Sequence, residues 1–344
     1  MSKNDNDLNY FNNNAKFMVN ITDIKLDKAD RVILTELDKN CRVPISKLAK
    51  LTRKSRQSIE YRIKRLVERG IVTSFNASIN PHGMGYKIYK IYLQLRNIPD
   101  ERTKLFAYLR TSGNVYWMGE ADGAWDLIFG VFAKSDYEFY KLKNEMVSSF
   151  GPIIVKNYYD VLVDVKQYPK MYFTGEISKP TMFAGEIVVN ELDALDHAIL
   201  GEMVNNARIL ITELANKTKS NPATVANRLK RLEKLGIIIQ YRIGVDLDKL
   251  GLEYYKAIFH LDRYTKEDEK KLLEYMSGLP STQYFIRNIW DIEPELVVSD
   301  YHEYREIIEQ VKDEFPLVIK NVETALMKSD EWTPGFRNLL GAKG

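Results

Sequence analysis

Cysteine is almost absent: Cys41 is the only one in 344 residues. That excludes an intrachain disulfide framework and a cysteine-rich zinc site, and it points to a reducing, cytoplasmic compartment. No apolar run approaches the roughly 18 residues that a membrane helix needs, and the N-terminus has no apolar signal core. A soluble protein with no membrane partner is therefore expected. Charge of one sign is also missing in bulk. The formal net charge is only +3, so the total gives no argument for nucleic acid and clustering has to be examined instead. Histidine is scarce, with His82, His197, His260 and His302 alone. No phosphate loop, zincin histidine pair or nucleophile elbow occurs, so no catalytic residue, metal or cofactor is expected. What remains is an ordinary mixture, 45% hydrophobic and 28% charged, with enough apolar material for several cores.

The chain repeats itself. LDKADRVILTELDKNCRVPISKLAK from Leu26 and LDALDHAILGEMVNNARILITELAN from Leu192 align at an offset of 166 (192 − 26) without a gap. The register pairs Leu34 with Leu200, Arg42 with Arg208, Leu48 with Leu214, Arg62 with Arg228, Gly70 with Gly236 and Gly85 with Gly251. Trp125-Asp126 then pairs with Trp290-Asp291, and Phe150 with Phe315, at an offset of 165. Shared composition cannot hold such a register, so the chain is a duplication. The reading is a disordered Asn-rich tail (1–21), a helix-turn-helix unit (22–78), an α+β unit (79–167), a linker with Pro169, Gly175, Pro180 and Gly185 (168–190), a second helix-turn-helix unit (191–244), a second α+β unit (245–330) and a frayed C-terminal tail from 331 to 344.

Each repeat opens on three helical patterns. Asp27 is a plausible N-cap, and Asn40 ends the first helix. Ile45, Leu48 and Ala49 give the buried side of a short second helix, and Ser55 caps a third that stops at Gly70. In the second copy Asn221 is the cap and Pro222 takes the first helical position, where no donor is lost. At 100° per residue Ile59, Ile63 and Leu66 form one stripe, with Gln57, Tyr61, Lys64 and Arg65 opposite. Lys50, Arg53, Lys54, Arg56, Arg62, Lys64, Arg65 and Arg69 crowd this element against Glu60 and Glu68. A protein-facing stripe backed by amides and cations suits a helix that enters the major groove. The DNA-reading candidates are Arg53, Lys54, Ser55, Arg56, Gln57, Ser58, Tyr61, Arg62, Lys64 and Arg65. In copy two they are Lys219, Asn221, Thr224, Asn227, Arg228, Lys230 and Arg231. Arg62 and Arg228 could equally serve structural ion pairs.

The second half of each repeat alternates as strands do, in Tyr89, Ile91, Leu93 and Leu95. Asp100 is expected to cap a helix carrying Leu105, Phe106 and Leu109. Residues 115–119 and 125–133 read as a hairpin, Ser135 to Glu138 as a capping box, and 153–165 as a last strand.

On Leu26-Asp27, Ile33-Leu34, Leu48-Ala49, Ser55, Arg62, Arg65-Leu66, Gly70-Ile71, Gly85 and Trp125-Asp126-Leu127, with their second-copy equivalents, each repeat resembles the Lrp/AsnC family. The resemblance implies an α+β chain of two winged helix-turn-helix domains, each followed by a βαββαβ ferredoxin-like (RAM-type) domain, and it is similar to tandem regulators of archaeal type. It also implies a transcriptional regulator that binds double-stranded DNA, an intrachain pseudo-dimer that pairs into a homodimer, and a small effector such as an amino acid. That effector would sit at the glycine-containing turn, at Gly119, Asp122 and Asp126; an ordinary solvated hairpin turn is the plainer alternative. The rival reading is a tetrapyrrole enzyme of the siroheme decarboxylase type, which resembles the same family and binds through His and Arg. None of the four histidines recurs at the repeat offset, and all four read as surface residues.

Overall fold

A computed structural model describes residues 26–204, 206–328, 331–332 and 340. The expected tail at 1–21 lies outside the described residues, as does most of the expected tail at 331–344. Copy one begins with α1 (Lys28–Lys39), α2 (Ile45–Thr52) and α3 (Arg56–Glu68), followed by β1 (Val72–Ile79). Asp27 and Asp30 form a reciprocal capping box on α1, and Ser55 Oγ accepts from Ser58 N at 3.1 Å on α3. The ferredoxin-like part is β2 (Lys87–Leu95), α4 (Pro99–Thr111), β3 (Val115–Gly123), β4 (Leu127–Ala133), α5 (Asp136–Phe150) and β5 (Ile154–Gln167). Ile98 rather than Asp100 stands at the α4 N-cap, because Pro99 takes the first helical position and leaves Asp100 inside the first turn. At α5, Ser135 caps Glu138 N, but the Glu138 carboxylate accepts from Lys134 N, one residue before the box position.

The segment expected to be a loose linker is ordered. Tyr168, Met171, Tyr172 and Phe173 are buried, and β6 (Thr181–Ala184) pairs with β5. Its aromatics were apolar surface that the chain could bury, and they outweigh its prolines and glycines.

Copy two repeats the order as α6 (Ala194–Met203), α7 (Ile211–Lys217), α8 (Pro222–Lys234), β7 (Ile238–Val245), β8 (Glu253–Leu261), α9 (Lys266–Ser277), β9 (Thr282–Asn288), β10 (Asp291–Val298), α10 (Tyr301–Glu314) and β11 (Ile319–Met327). A short β12 (Glu331–Trp332) pairs with β3, and the carbonyl of buried Leu340 lies 3.2 Å from His197 Nδ1.

The copies meet about a pseudo-twofold axis. β1 and β7 pair antiparallel with Asn76 opposite Arg242 at the centre, and Phe75 opposite Ile243 mirrors Ala77 opposite Tyr241. Cys41 N donates to Tyr241 O at 2.9 Å while Ala207 N donates to Phe75 O at 2.8 Å. Arg42 donates to Ala207 O and Arg208 to Cys41 O, each guanidinium 5.5 Å over the facing ring, Tyr241 or Phe75. In the other half the sheets run β5-β2-β4-β3 and β11-β8-β10-β9, and the pairings β5–β9 and β11–β3 close them into an eight-stranded barrel. Helices α4 and α5 cover the outer face of one sheet through Leu105, Phe106, Met146 and Phe150. α9 and α10 cover the other through Leu272, Met276, Ile307 and Val311.

Inside the barrel the alternate residues of β2 and β8 bring Lys90 and Lys256 to one acid. Lys90 Nζ donates to Glu293 Oε2 at 2.5 Å and Lys256 Nζ to the same oxygen at 3.0 Å; Tyr92 and Asn288 also bond Glu293, and Lys256 also reaches Glu295. Burial would raise the Glu293 carboxyl, but Lys256 and Lys90 outweigh it and hold it low. The buried charges are paired and bonded, as burial requires.

A second buried node joins head, linker and barrel. Asp38 on α1 is fully buried; it accepts from Arg242 Nη2 at 2.8 Å and from Lys170 N at 3.0 Å, and Arg242 Nη2 donates to Tyr168 O at 2.7 Å. Burial would raise the Asp38 carboxyl; Arg242 and Lys170 more than offset it, so its folded pKa lies below the usual carboxylate value. Asp38→Ala is therefore expected to cost about 3–5 kcal/mol at pH 7, because it strands the Arg242 cation. The depressed pKa fixes the sign with pH. The contribution is complete above the unfolded value of about 3.9 and is lost as pH falls through the folded one. Urea unfolding should show the wild-type advantage over Asp38→Ala steady near neutrality and shrinking below about pH 4.

Candidate nucleic-acid interface

Helix α3 stands on its apolar stripe. Ile59 and Leu66 are buried and Ile63 half-buried; Val225, Leu229 and Leu232 do the same for α8. The opposite face is open. Arg53, Lys54, Ser55, Arg56, Gln57, Tyr61 and Lys64 are exposed and Ser58 is half-buried; in copy two Lys219, Asn221, Asn227 and Lys230 are exposed and Thr224 is half-buried. Arg53, Lys54 and Arg56 make no ion pair with any described residue, while Lys64 lies 3.5 Å from Glu68. The turn between the second and third helices of each head carries a left-handed cation, Arg53 at φ 54° and Lys219 at φ 51°. A side-chain-bearing residue there is strained, and strain of this kind collects at functional positions.

Two arginines of each head face elsewhere. Arg62 Nη1 lies 2.7 Å from Asp30 and 2.8 Å from Asp27, and Arg65 Nη2 lies 2.7 Å from Asp30, whose carboxylate is buried. Copy two repeats this around buried Asp196: Arg228 reaches Asp193 at 2.8 Å and Asp196 at 3.2 Å, and Arg231 reaches Asp196 at 2.7 Å. Arg65 and Arg231, expected among the phosphate-facing cations, and Arg62 and Arg228 thus each bond the buried carboxylate of their own head. One sunken carboxylate per head needs both guanidiniums, which tie the third helix to the first. Asp30 and Asp196 recur at the repeat offset, a signal that capping alone does not exhaust.

The three residues expected to hold an effector are already engaged in the hairpin and its surroundings. Gly119 lies within β3 opposite Ile128; Asp122 pairs with Lys328 at 2.7 Å; Asp126 Oδ2 accepts from Leu95 N at 2.8 Å, with Arg102 3.4 Å from its other oxygen. The turn is instead the seam that closes the barrel. Gly123 sits at φ 114° where a Cβ would overlap Thr324 O, and buried Trp125 donates to Glu323 at 2.7 Å. In copy two only Ile289 and Trp290 separate Asn288 from Asp291, and Trp290 is 74% exposed.

The histidines are corrected too, since only His302 is fully on the surface. Buried His82 lies 2.7 Å from Gly185 O, and burial pushes its pKa down. His260 is half-buried with Nδ1 2.8 Å from Asp291 Oδ1, a bond that pushes its pKa up. Among the described residues no cluster of His, Cys, Asp and Glu could hold a metal ion. No helix of the described residues is long and apolar enough to cross a membrane.

The profile of the winged helix-turn-helix DNA-binding family matches residues 26–73 and 192–239. The chain is 30% identical over 133 residues to the proline dehydrogenase transcriptional activator of Rhodobacter capsulatus, covering 37% of this chain and 84% of that protein. It is 30% identical over 143 residues to the transcriptional regulator AzlB of Bacillus subtilis (strain 168), covering 41% of this chain and 90% of that one. The HTH-type transcriptional regulator LrpC of the same organism matches at 32% over 97 residues, 28% of this chain and 66% of its own length. Among solved structures the siroheme decarboxylase NirDL superposes with a TM-score of 0.61 over 91% of this chain and 97% of its own, at 12% identity. At that identity the likeness is one of fold.

Asp30→Ala and Asp196→Ala are each expected to loosen their own head by about 1.5–3 kcal/mol, the range for hydrogen bonds to a charged partner. Hydrogen exchange should show the faster opening confined to α1–α3 for the first and α6–α8 for the second, with the barrel amides unchanged.

Proposed function

The chain belongs to the Lrp/AsnC family of DNA-binding transcriptional regulators, as a tandem duplication, and from that premise we propose that it reads an operator of two unlike half-sites. The observation that carries this is the divergence of the exposed faces on matched frames. Both heads keep the apolar stripe, the buried acid and the left-handed cation. The groove-side residues differ: Gln57 stands where copy two has Ala223, Ser58 where it has Thr224, and Tyr61 where it has Asn227. Gln57 can bond adenine bidentately where Ala223 offers a methyl contact, and Asn227 can bond adenine where Tyr61 cannot do so bidentately. Arg53, Lys54 and Arg56 in copy one, with Lys64 beside Glu68, and Lys219 and Lys230 in copy two, are the exposed cations that can meet phosphate; Ser55, Asn221 and Thr224 lie at the helix starts where backbone amides also face it.

This reading makes the chain a regulator rather than an enzyme. The barrel interior holds the lysine–glutamate cluster with Tyr92, Trp125 and Ile258 packed beside it, which supports a sealed structural core. A purified protein carrying a tetrapyrrole absorption band would reverse that assignment. Modulation by an amino acid draws no support from Gly119, Asp122 and Asp126, because the fold uses that turn to close the barrel. Pairing of two chains into a homodimer belongs to the same proposal.

Arg56→Ala combined with Lys64→Ala is expected to flatten the salt dependence of DNA binding by about two units of log–log slope, near 0.9 per phosphate contact. Arg62→Ala with Arg65→Ala should leave the slope in place while lowering the stability of the first head. Fluorescence anisotropy over a salt series separates the two; an unchanged slope in the first pair would remove those cations from the interface. Selection from random DNA is expected to return two dissimilar half-sites spaced by about one helical turn or a multiple of it. Gln57→Ala should relax preference in one of them by about 1–3 kcal/mol per lost contact. A perfect palindrome would sink the asymmetric reading.

A further inference from the structure

The charges at the seam between the two copies are distributed unequally. In the barrel, Lys90 and Lys256 occupy equivalent places, since Lys90 faces Gly130 across β2–β4 as Lys256 faces Glu295 across β8–β10. Both acids come from copy two; the positions of Glu293 and Glu295 are held in copy one by Ile128 and Gly130. A side chain at Gly130 would overlap the Tyr116 ring, so copy one has no room for a second acid. In the heads, Asp38 of copy one meets Arg242 of copy two at 2.8 Å, whereas the mirror positions hold Val204 and Asn76. At the strand seam, Asp164 of β5 pairs with Arg287 of β9, which stands where copy one has Glu120. On the other seam Lys156 lies 3.3 Å from Glu323, and the mirror positions are Asn321 and Tyr158.

We propose that these one-sided ion pairs are a pairing code, so that the inner face of copy one accepts only a partner bringing two carboxylates and an arginine at the places of Glu293, Glu295 and Arg242. Two copy-one halves would bury two lysines with no glutamate, facing only Asp160 opposite Lys90 on β5, leave two Asp38 carboxylates without an arginine and set Asp164 against Glu120. Two copy-two halves would enclose four carboxylates with two lysines and place each Arg242 against Val204. Taking ions out of water without a counter-charge is costly, and specificity arises as much from such penalties as from attraction. The partner of each half is therefore the other half. A single-repeat subunit that lacks the complementary charges is refused, and the order of the two unlike heads on DNA is set by the protein.

The test uses the full chain with a protease site placed between exposed Glu176 and Ile177. After cleavage the protein is dissociated in urea, returned to buffer and weighed by native mass spectrometry, where the three pairings differ in mass. Pairs of one copy-one half with one copy-two half are expected to exceed like pairs by about a hundredfold, against roughly half like pairs for indifferent pairing. The variant Glu293→Gln with Glu295→Gln, cut in the same way, should raise the share of copy-two pairs at least tenfold, because it erases the glutamate difference between the mixed pair and the copy-two pair. Like pairs near the chance share in the wild type overturn the proposal, and so does an unchanged distribution in the variant. Failure of the wild-type halves to recover the mixed pair overturns it as well, since pairing would then depend on the tether and not on the charges.

Discussion

Neither four-stranded sheet is complete by itself. Each has helices on one face only, and each leaves two edge strands whose backbone amides and carbonyls need partners. Closure answers both needs at once: β5 takes β9, β11 takes β3, and the two bare faces become the inside of a barrel. Everything else is arranged around that closure. The β1–β7 ribbon continues the same pseudo-twofold axis into the heads, and the segment between the copies packs Tyr168 into the core of the second α+β unit and Phe173 into the core of the heads. The two recognition helices are thereby held in one geometry.

Closure also explains where the chain tolerates buried ions. A barrel lined only with aliphatic residues would be satisfied by many partners and registers. Lys90, Lys256 and Glu293 cost desolvation and return it only when all three are in place, with Tyr92 and Asn288 completing the bonds. The heads use the same physics on a smaller scale, with Asp30 or Asp196 neutralised by two arginines of the third helix. In each head the acid is nearly inaccessible and the arginines are less so, so the acid supplies the positional constraint.

Duplication left a frame under strong physical control and surfaces under little. Residues that cap helices or fill the head core match closely between the copies, because a change there breaks a hydrogen bond or opens a cavity. Residues on the open face of α3 and α8 differ, and so do the two hairpin turns. The shorter turn of copy two puts Trp290 in solvent, while Trp125 is held beneath Lys156, 4.3 Å from its ring. Pseudo-symmetry is therefore kept in the backbone register of β1 and β7 and broken both on the open helix faces and among the buried charges between the copies.

Much of this was legible in the residues. Caps at Asp27, Ser55 and Asn221, the stripes of α3 and α8, and the alternation in β2 act over a few positions, so local periodicity reveals them. The offset of 166 (192 − 26) exposed the duplication and with it the equivalence of the heads. Fates decided by distant contacts were not legible. Asp38 and Arg242 are 204 residues apart, and nothing near either in the chain names the other. Arg65 looked like a phosphate ligand because its helix face is polar, yet the nearby buried carboxylate of Asp30 claims it. Gly119, Asp122 and Asp126 looked like a site because they are close in sequence, and the fold gives the two carboxylates partners of their own, Lys328 for Asp122 and Leu95 N with Arg102 for Asp126. The sequence by itself determined the elements, their order and their doubling, since these follow from steric and capping rules acting over single turns. Only the tertiary structure decided which charges neutralise one another and which stay exposed, because desolvation and Coulomb energies depend on distances through space.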